Sequence, residues 1–505
     1  MIFSLRLIRL GRKNLKLEII PMSHYLNKIL IIILAIGFIL AILANIFAWK
    51  FLILPLGVIT ALVFFILAWR RLDYALYVFI AELVLGGAGG RWLDFKGPIS
   101  IRIVFFAILI LVWLFYIYRK KASLAPLLES KFTKPLIVLF FFFPIFWGLL
   151  GWIYDFPLEY ILKDANGFLF YILFFLLLTI LPKYSEGRKL IKVYLVSIVA
   201  VSFIFTLLYF LAALDIINIW FLKQVFLGRM FYGGKIGIMP DGAYRLFTGN
   251  GIFIQIGLLL LVSFILIRGH LSKNVRSLIL VSILFVYLAI VASYTRGFWV
   301  GIIGALLFLL FWLSWKQRFK LLVGAIVLFL ISEIVFQGLF HLSFSNFFFN
   351  RLATSVSVGK DPVSVGARVS QVRVLGGSIL RHPFWGTGFG TYFPVYRTEA
   401  EVADPYSFEL GYLDMLVKWG IVGFAFWGLV ILGIFFKGLK LLWFKFDLEK
   451  EQKALILGFL SGLVALLIVG GTSPFLMSAF GITHIVLTIY LLAVIDQPSP
   501  RISKE

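Results

Sequence analysis

The chain has 505 residues, 62% of them hydrophobic and only 14% charged, with a formal net charge of +24 and no cysteine. That balance excludes a soluble globular protein, which would need far more polar surface, and it excludes disulfides, thiol catalysis and cysteine-bound metal. Apolar runs of about 18 or more residues recur from end to end, and about 20 helical residues cross about 30 Å of hydrocarbon. An all-α, polytopic transmembrane helical bundle is therefore expected. Backbone facing lipid must satisfy its own hydrogen bonds, which favours helices, and no alternating β-barrel pattern is present.

In chain order, a basic tail comes first (residues 1–28), with Arg6, Arg9, Arg12, Lys13 and Lys16. It is expected to lie on anionic lipid rather than to bind nucleic acid. A secretory signal also begins basic and turns apolar, but the first apolar run is too long and lacks a small-residue cleavage site. Fourteen spans are expected, near 29–48, 51–69, 73–89, 100–118, 135–153, 166–182, 191–214, 249–267, 277–293, 297–315, 320–340, 410–436, 454–470 and 475–495. The first three are the weakest, and twelve is the alternative count. With the N-terminus inside, 30 of the 47 Lys and Arg residues fall in the tail and cytoplasmic connections, so both termini are expected inside. The plan is then a tail (1–28), a bundle (29–340), an extracytoplasmic loop subdomain (341–409) and C-terminal transmembrane helices (410–505).

Two outside connections are long, 215–248 and 341–409, and long connections in a compact fold are usually functional or disordered. The second keeps Trp385, Phe389, Tyr392, Phe393 and Tyr396, which is not a disordered composition. Residues 367–380 are expected to form an amphipathic helix with Arg368 and Gln371 on one face. Ten of the 17 outside basic residues are Arg: 91, 102, 229, 245, 296, 351, 368, 373, 381 and 397. A planar fork that is always charged suits phosphate; contact with lipid headgroups is the plainer alternative.

Local patterns sharpen this. SYTRGFW (293–299) puts Arg296 between two spans joined by almost nothing, where an ionisable group is costly and usually has a job. YRLFTGN (244–250) brings Arg245 and Asn250 to the start of another span, although Thr248 or Asn250 could simply cap that helix. GTGFG (386–390) has no strand before it, so its glycines read as a sharp turn after Pro383 and not as a nucleotide loop. Glu409, Tyr412 and Asp414 open the span after the loop. Glu409 can be a general base, or an acid that complements the helix dipole. Glu82 and Glu333 are read as buried acids that reach polar neighbours. Five scattered histidines (His24, His270, His341, His382, His484) show no paired spacing, and a zinc site is not expected.

Taken together, LKDANGFLFYILFFLL (162–177), YRLFTGN, SYTRGFW, R-x13-HP-x2-G-x-GFG (Arg368–Gly390) and L-x6-G-x2-G (Leu413–Gly423) resemble the O-antigen ligase and polymerase family of bacterial envelope glycosyltransferases over roughly residues 160–495. The resemblance implies an inner-membrane enzyme without metal or cofactor, its site facing the periplasm. Such an enzyme takes a glycan from a polyprenyl-diphosphate carrier. A polymerase passes it to another carrier-linked repeat unit, in company with a chain-length regulator. A ligase passes it to lipid A–core of lipopolysaccharide. Arg296 and Arg368 match the family arginines that grip the diphosphate, and Arg245 matches a third. Asn250, Gln371 and Tyr412 are expected to contact substrate. The family's ligases carry a His where this chain has Glu409, which tilts the expectation to a polymerase with Glu409 as base. The rivals are a ligase, a flippase for the same lipid-linked sugar, and a peptidoglycan-type polymerase.

Overall fold

Hydrophobic length becomes helix throughout. The computed structural model describes residues 6–7, 17–18, 22–46, 50–87, 100–120, 127, 130–222, 235–238, 244–269, 271–353, 364–393, 395–398, 401–403, 406, 408–445 and 447–497. Its main helices are α1 (Met22–Ile46), α2 (Lys50–Arg70), α3 (Leu72–Leu85), α4 (Ile101–Lys120), α5 (Thr133–Ile153), α6 (Leu158–Ile180), α7 (Tyr184–Ala213) and α8 (Gly251–Arg268). They continue as α9 (Lys273–Ser293), α10 (Arg296–Trp312), α11 (Trp315–Phe340), α12 (Phe344–Ala353), α13 (Ser364–Arg381), α14 (Gly411–Phe444), α15 (Lys450–Gly470) and α16 (Ala479–Asp496). The strands described form three short antiparallel pairs: β1 (Arg6–Leu7) with β2 (Leu17–Glu18), β3 (Lys235–Ile238) with β4 (Tyr244–Phe247), and β5 (Val395–Thr398) with β6 (Glu401–Ala403).

Each expected span coincides with one of these helices. Among the described residues, eleven helices are long and apolar enough to cross a membrane, and α10 is shorter. Helix α3 has 14 residues, about 21 Å at 1.5 Å per residue, against ~30 Å of hydrocarbon. The expected amphipathic helix at 367–380 is the middle of α13, and its Gln371 and Leu375 are buried.

The chain divides into two compact units, Met1–Ala122 with Phe221–Gly233, and Ser123–Trp220 with Gly234–Glu505. In the first, α2 packs on α1, α3 and α4, and Phe64 stacks on Phe105 at 3.9 Å. Arg102 donates to both oxygens of Glu82, at 2.9 and 3.2 Å. This corrects one expectation, because the Arg102 fork is already matched by a buried carboxylate in its own unit. Glu82 finds here the polar neighbour expected of a buried acid.

In the second unit the core is α8, α15 and α16, with 67%, 78% and 83% of their spanning windows buried; only 11% of the α11 window is buried. Helices that are apolar on every side belong in the middle, and these three are. The junctions gather at two ends. At one end Gln317 donates to the Leu266 carbonyl (2.8 Å), and Arg188 and Arg268 both reach Glu451. At the other end Tyr154 hydrogen-bonds His382 (3.3 Å) and Arg245 donates to the Ser293 carbonyl (3.2 Å). That second end holds the polar groups singled out above.

Candidate active site

The SYTRGFW turn organises this end. Tyr294 ends α9 in the left-handed region (φ 50°), a conformation that is uncommon for a bulky residue, and it is fully buried. Its hydroxyl shares a hydrogen bond with that of Tyr209 (3.0 Å), and its ring meets Phe347 edge-on. The chain reverses within Tyr294–Thr295, and Arg296 is the first residue of α10. A cation there opposes the positive end of the helix dipole, and the first turn has no acidic residue. An anion at this point would be favoured by both the helix end and the guanidinium.

Arg245, on β4, lies across the same turn. Burial, then the charges of Arg351 and Arg296, lower its pKa to about 10, and Glu409 opposes that shift. Arg351, Arg296 and Glu409 are therefore all near enough to act on Arg245. Arg351 sits in the last turn of α12. Arg368 on α13 brings its Nε to 3.4 Å from Glu409 Oε2, with 27% and 28% of the two side chains exposed. Glu409 is held from behind: Gln371 is buried, and its Oε1 accepts from the backbone N–H of Glu409 (3.0 Å) and Leu410 (3.3 Å). Leu375 on the same face of α13 packs with Phe408 and Val417. Arg368 thus pairs with Glu409, and Arg245 feels the charges of Arg351, Arg296 and Glu409.

The other expected residues take different places. Tyr412 donates to the Leu467 carbonyl of α15 (2.6 Å). Asn250 is buried at the N-cap position of α8 without a side-chain cap bond. Glu333 is half-buried, not buried; it accepts from Ser345 N–H (2.8 Å) in the first turn of α12 and from Gln337 (3.2 Å). Arg373 and Arg381 are exposed on α13. Arg91, Arg229 and Lys360 lie outside the described residues, as does the side chain of Arg397.

The GTGFG segment turns on glycine. Gly386, Gly388 and Gly390 have φ of 69°, 90° and 80°, where a side chain would be strained. The segment wedges between α5, α6 and α14. Its partner is Gly420 (φ 62°), where α14 breaks. The break frees two carbonyls and two N–H groups, and the loop takes up all four. Thr387 N–H donates to Val417 O (2.8 Å) and Gly388 N–H to Lys418 O (3.0 Å), while Ile421 and Val422 N–H donate to Pro383 and Phe384 carbonyls (2.8 and 3.1 Å). Non-helical backbone at such depth survives only when protein satisfies it.

Beneath the loop is an ionic cluster that sequence reasoning did not single out. Lys418 Nζ lies 2.8 Å from Asp164 Oδ1 and 2.9 Å from Asp414 Oδ1, and donates to the Tyr406 carbonyl (3.0 Å). Asp164 Oδ2 accepts from Gly390 N–H (2.8 Å). The signal was present: a lysine within an apolar span, one turn after Asp414, is too costly to stand alone.

Residues 278–428 match the family model described as O-antigen ligase. That match supports placing the chain in the O-antigen ligase/polymerase family. The matched stretch runs from α9 into α14 and contains Arg296, Arg351, Arg368, Gln371, Glu409, Lys418 and Gly420. It is narrower than the resemblance read from sequence: Asp164, Arg245 and Asn250 fall outside it. No curated protein matches the chain. With its membrane-length helices, the family match supports a multi-pass membrane enzyme that processes glycans.

Proposed function

We propose that the chain is a glycosyltransferase of the bacterial inner membrane that lengthens polyprenyl-diphosphate-linked repeat units at the outer face, that is, an O-antigen or surface-polysaccharide polymerase. The observation that carries this reading is the Arg368–Glu409 pair at the start of a membrane helix, with Arg245 close enough to feel the charges of Arg351, Arg296 and Glu409. The arginines take the diphosphate of the donor. As the acceptor hydroxyl oxygen attacks the anomeric carbon, the bond from that carbon to the diphosphate oxygen breaks, and its electron pair leaves with the diphosphate. Positive charge already in place where negative charge grows is the largest expected catalytic effect. The acceptor proton passes to Glu409.

The Arg368–Glu409 contact gives this scheme an order of events. In the free enzyme Arg368 engages a Glu409 carboxylate oxygen. A diphosphate competes for Arg368 and frees that oxygen to meet the acceptor hydroxyl once the donor is bound. Gln371 and Tyr412 act through backbone contacts that fix the start of α14. Asn250 is buried at the start of α8, five residues after Arg245.

A carboxylate at the position where the family's ligases carry His supports the polymerase over transfer to lipid A–core. A flippase would gather its polar groups near mid-membrane, whereas Arg296 opens α10, Arg351 lies in the last turn of α12, and Arg245 and Arg368 belong to β4 and α13, which are not among the membrane-length helices. The test uses purified protein with lipid-linked repeat units alone. The expected result is a ladder of longer lipid-linked glycans, reduced about 100- to 10,000-fold by Glu409→Gln. Full activity in that variant removes the base assignment. Transfer only when lipid A–core is supplied makes the protein a ligase, and flipping without growth makes it a transporter.

A further inference from the structure

An apolar cavity of about 840 Å³ runs between α8, α9, α10 and α11. Along α9 its lining extends from Arg276 to Val291, about 22 Å at 1.5 Å per residue, which is most of the ~30 Å hydrocarbon layer. On one side it is walled by α11, the least buried of the membrane-length helices in this unit. Two lining residues of α11, Val323 and Val327, are 42% and 47% exposed, so the cavity is a groove with an open side. At Gly324, also in the lining, a Cβ would meet no atom within 4 Å.

The two ends of the groove differ. One end has Arg276 and Lys320. The other is closed by Trp299 and Phe348, whose rings lie 4.9 Å apart. Trp299 is one turn beyond Arg296 on α10, and Phe348 is one turn before Arg351 on α12, so each aromatic shares a helix face with an arginine of the candidate site. Val291, also in the lining, is two residues before Ser293, whose carbonyl holds Arg245. The groove therefore ends among the guanidiniums.

We propose that this groove holds the hydrocarbon chain of the polyprenyl-diphosphate carrier, its tail between α9 and α11 and its diphosphate at Arg296, Arg351 and Arg245. The inference rests on the glycosyltransferase reading and adds the path of the tail. Three features choose this occupant. The wall is hydrocarbon-like over nearly the full depth of the bilayer. Its side is open along α11, so a lipid enters sideways without unwinding its headgroup from water. Its head end carries several cations close together, which matches a diphosphate better than the single charge of an ordinary phospholipid.

The experiment uses the full chain in nanodiscs. A C55 polyprenyl phosphate with a diazirine near its far end is photolysed, and the labelled peptides are read by mass spectrometry. A phosphatidylglycerol with the diazirine in an acyl chain is the second arm. The expected result is polyprenyl labelling of α9 and α11 that excess unlabelled polyprenyl diphosphate removes and excess phosphatidylglycerol does not. Labelling elsewhere, or equal competition by phosphatidylglycerol, overturns the proposal. Gly324→Trp fills the groove at a point with room for it and should lower the ratio of kcat/KM for C55 over C15 carriers by about tenfold. Leu322→Trp, on the exposed side of α11 and outside the lining, should leave that ratio unchanged; equal ratios in both variants overturn the tail path. Labelling reads out whether or not glycan is transferred, so failure of the groove and failure of the enzyme reading are told apart.

Discussion

Two ionic clusters lie along the first turns of α14, and they are built on opposite terms. At Glu409 the partner is Arg368, with Arg245 sensing Arg351, Arg296 and Glu409 beside them, and the Arg368 and Glu409 side chains are more than a quarter exposed. Around Lys418, one ammonium meets two carboxylates, with side chains 1%, 9% and 1% exposed for Lys418, Asp164 and Asp414. The buried cluster is completed by backbone from the GTGFG segment and Tyr406. The open cluster can be reached from outside, since the Arg368 and Glu409 side chains are partly exposed. Buried charge with all its partners holds a structure together; accessible charge in excess waits for a ligand.

The comparison breaks most easily at its open side. Arg296→Ala and Arg368→Ala should each lower kcat by about 100- to 1,000-fold, as expected when a group stabilising the leaving charge is lost. Thermal unfolding in detergent should barely move. A large fall in stability with intact turnover would show these arginines to be structural.

Lys418→Met should do the reverse. It leaves two carboxylates facing each other in a dry site, and breaking a buried pair from one side costs about 3–5 kcal/mol. Unfolding temperature falls strongly, and the Asp414→Asn, Lys418→Met double variant recovers part of it. Lost turnover in a protein of wild-type stability would move Lys418 into the chemistry.

The smallest effect is a pH dependence. The pKa of Arg245, lowered to about 10 by burial and then by Arg351 and Arg296, leaves it charged at neutral pH. Sulfate, whose charge is constant over the range, should bind equally from pH 6 to 8.5 and more weakly as pH approaches about 10. For stability the sign is opposite. The native state holds this proton less tightly than the unfolded chain does, so the group's destabilisation is fully present below about pH 10 and is relieved above it. Sulfate binding that stays flat through pH 10.5, followed by calorimetry, would separate Arg245 from the anion site.

Much of this was legible beforehand, for definite reasons. Span positions follow from hydrophobic length, which bilayer thickness fixes locally. Arg296 stands out between two apolar spans and Glu409 at the start of another, while Arg368 and Gln371 share one face of an amphipathic stretch. The turn in GTGFG was legible because alternate glycines have few other uses. What escaped was pairing across distance. Asp164 and Lys418 are far apart in sequence, and neither shows which partner it will meet. Arg102 was counted with the outer arginines because sequence does not reveal that Glu82 takes its fork. Glu333 is expected to be buried, whereas it is half-buried and accepts the Ser345 N–H in the first turn of α12. The left-handed Tyr294 was invisible because its ring packing, not its local preference, sets the backbone there.

The exchange of backbone partners at Gly420 has a consequence for motion. A loop that only lies on a bundle can lift as a lid at little cost. Here Thr387, Gly388, Ile421 and Val422 each take a partner from the opposite segment. The loop cannot rise without stripping backbone partners from the break in a membrane helix. In hydrogen–deuterium exchange these four amides should open together, as one cooperative unit with the helix. The same exchange imposes an order on assembly, because the loop has no finished shape until the helix that follows it in the chain is in the membrane.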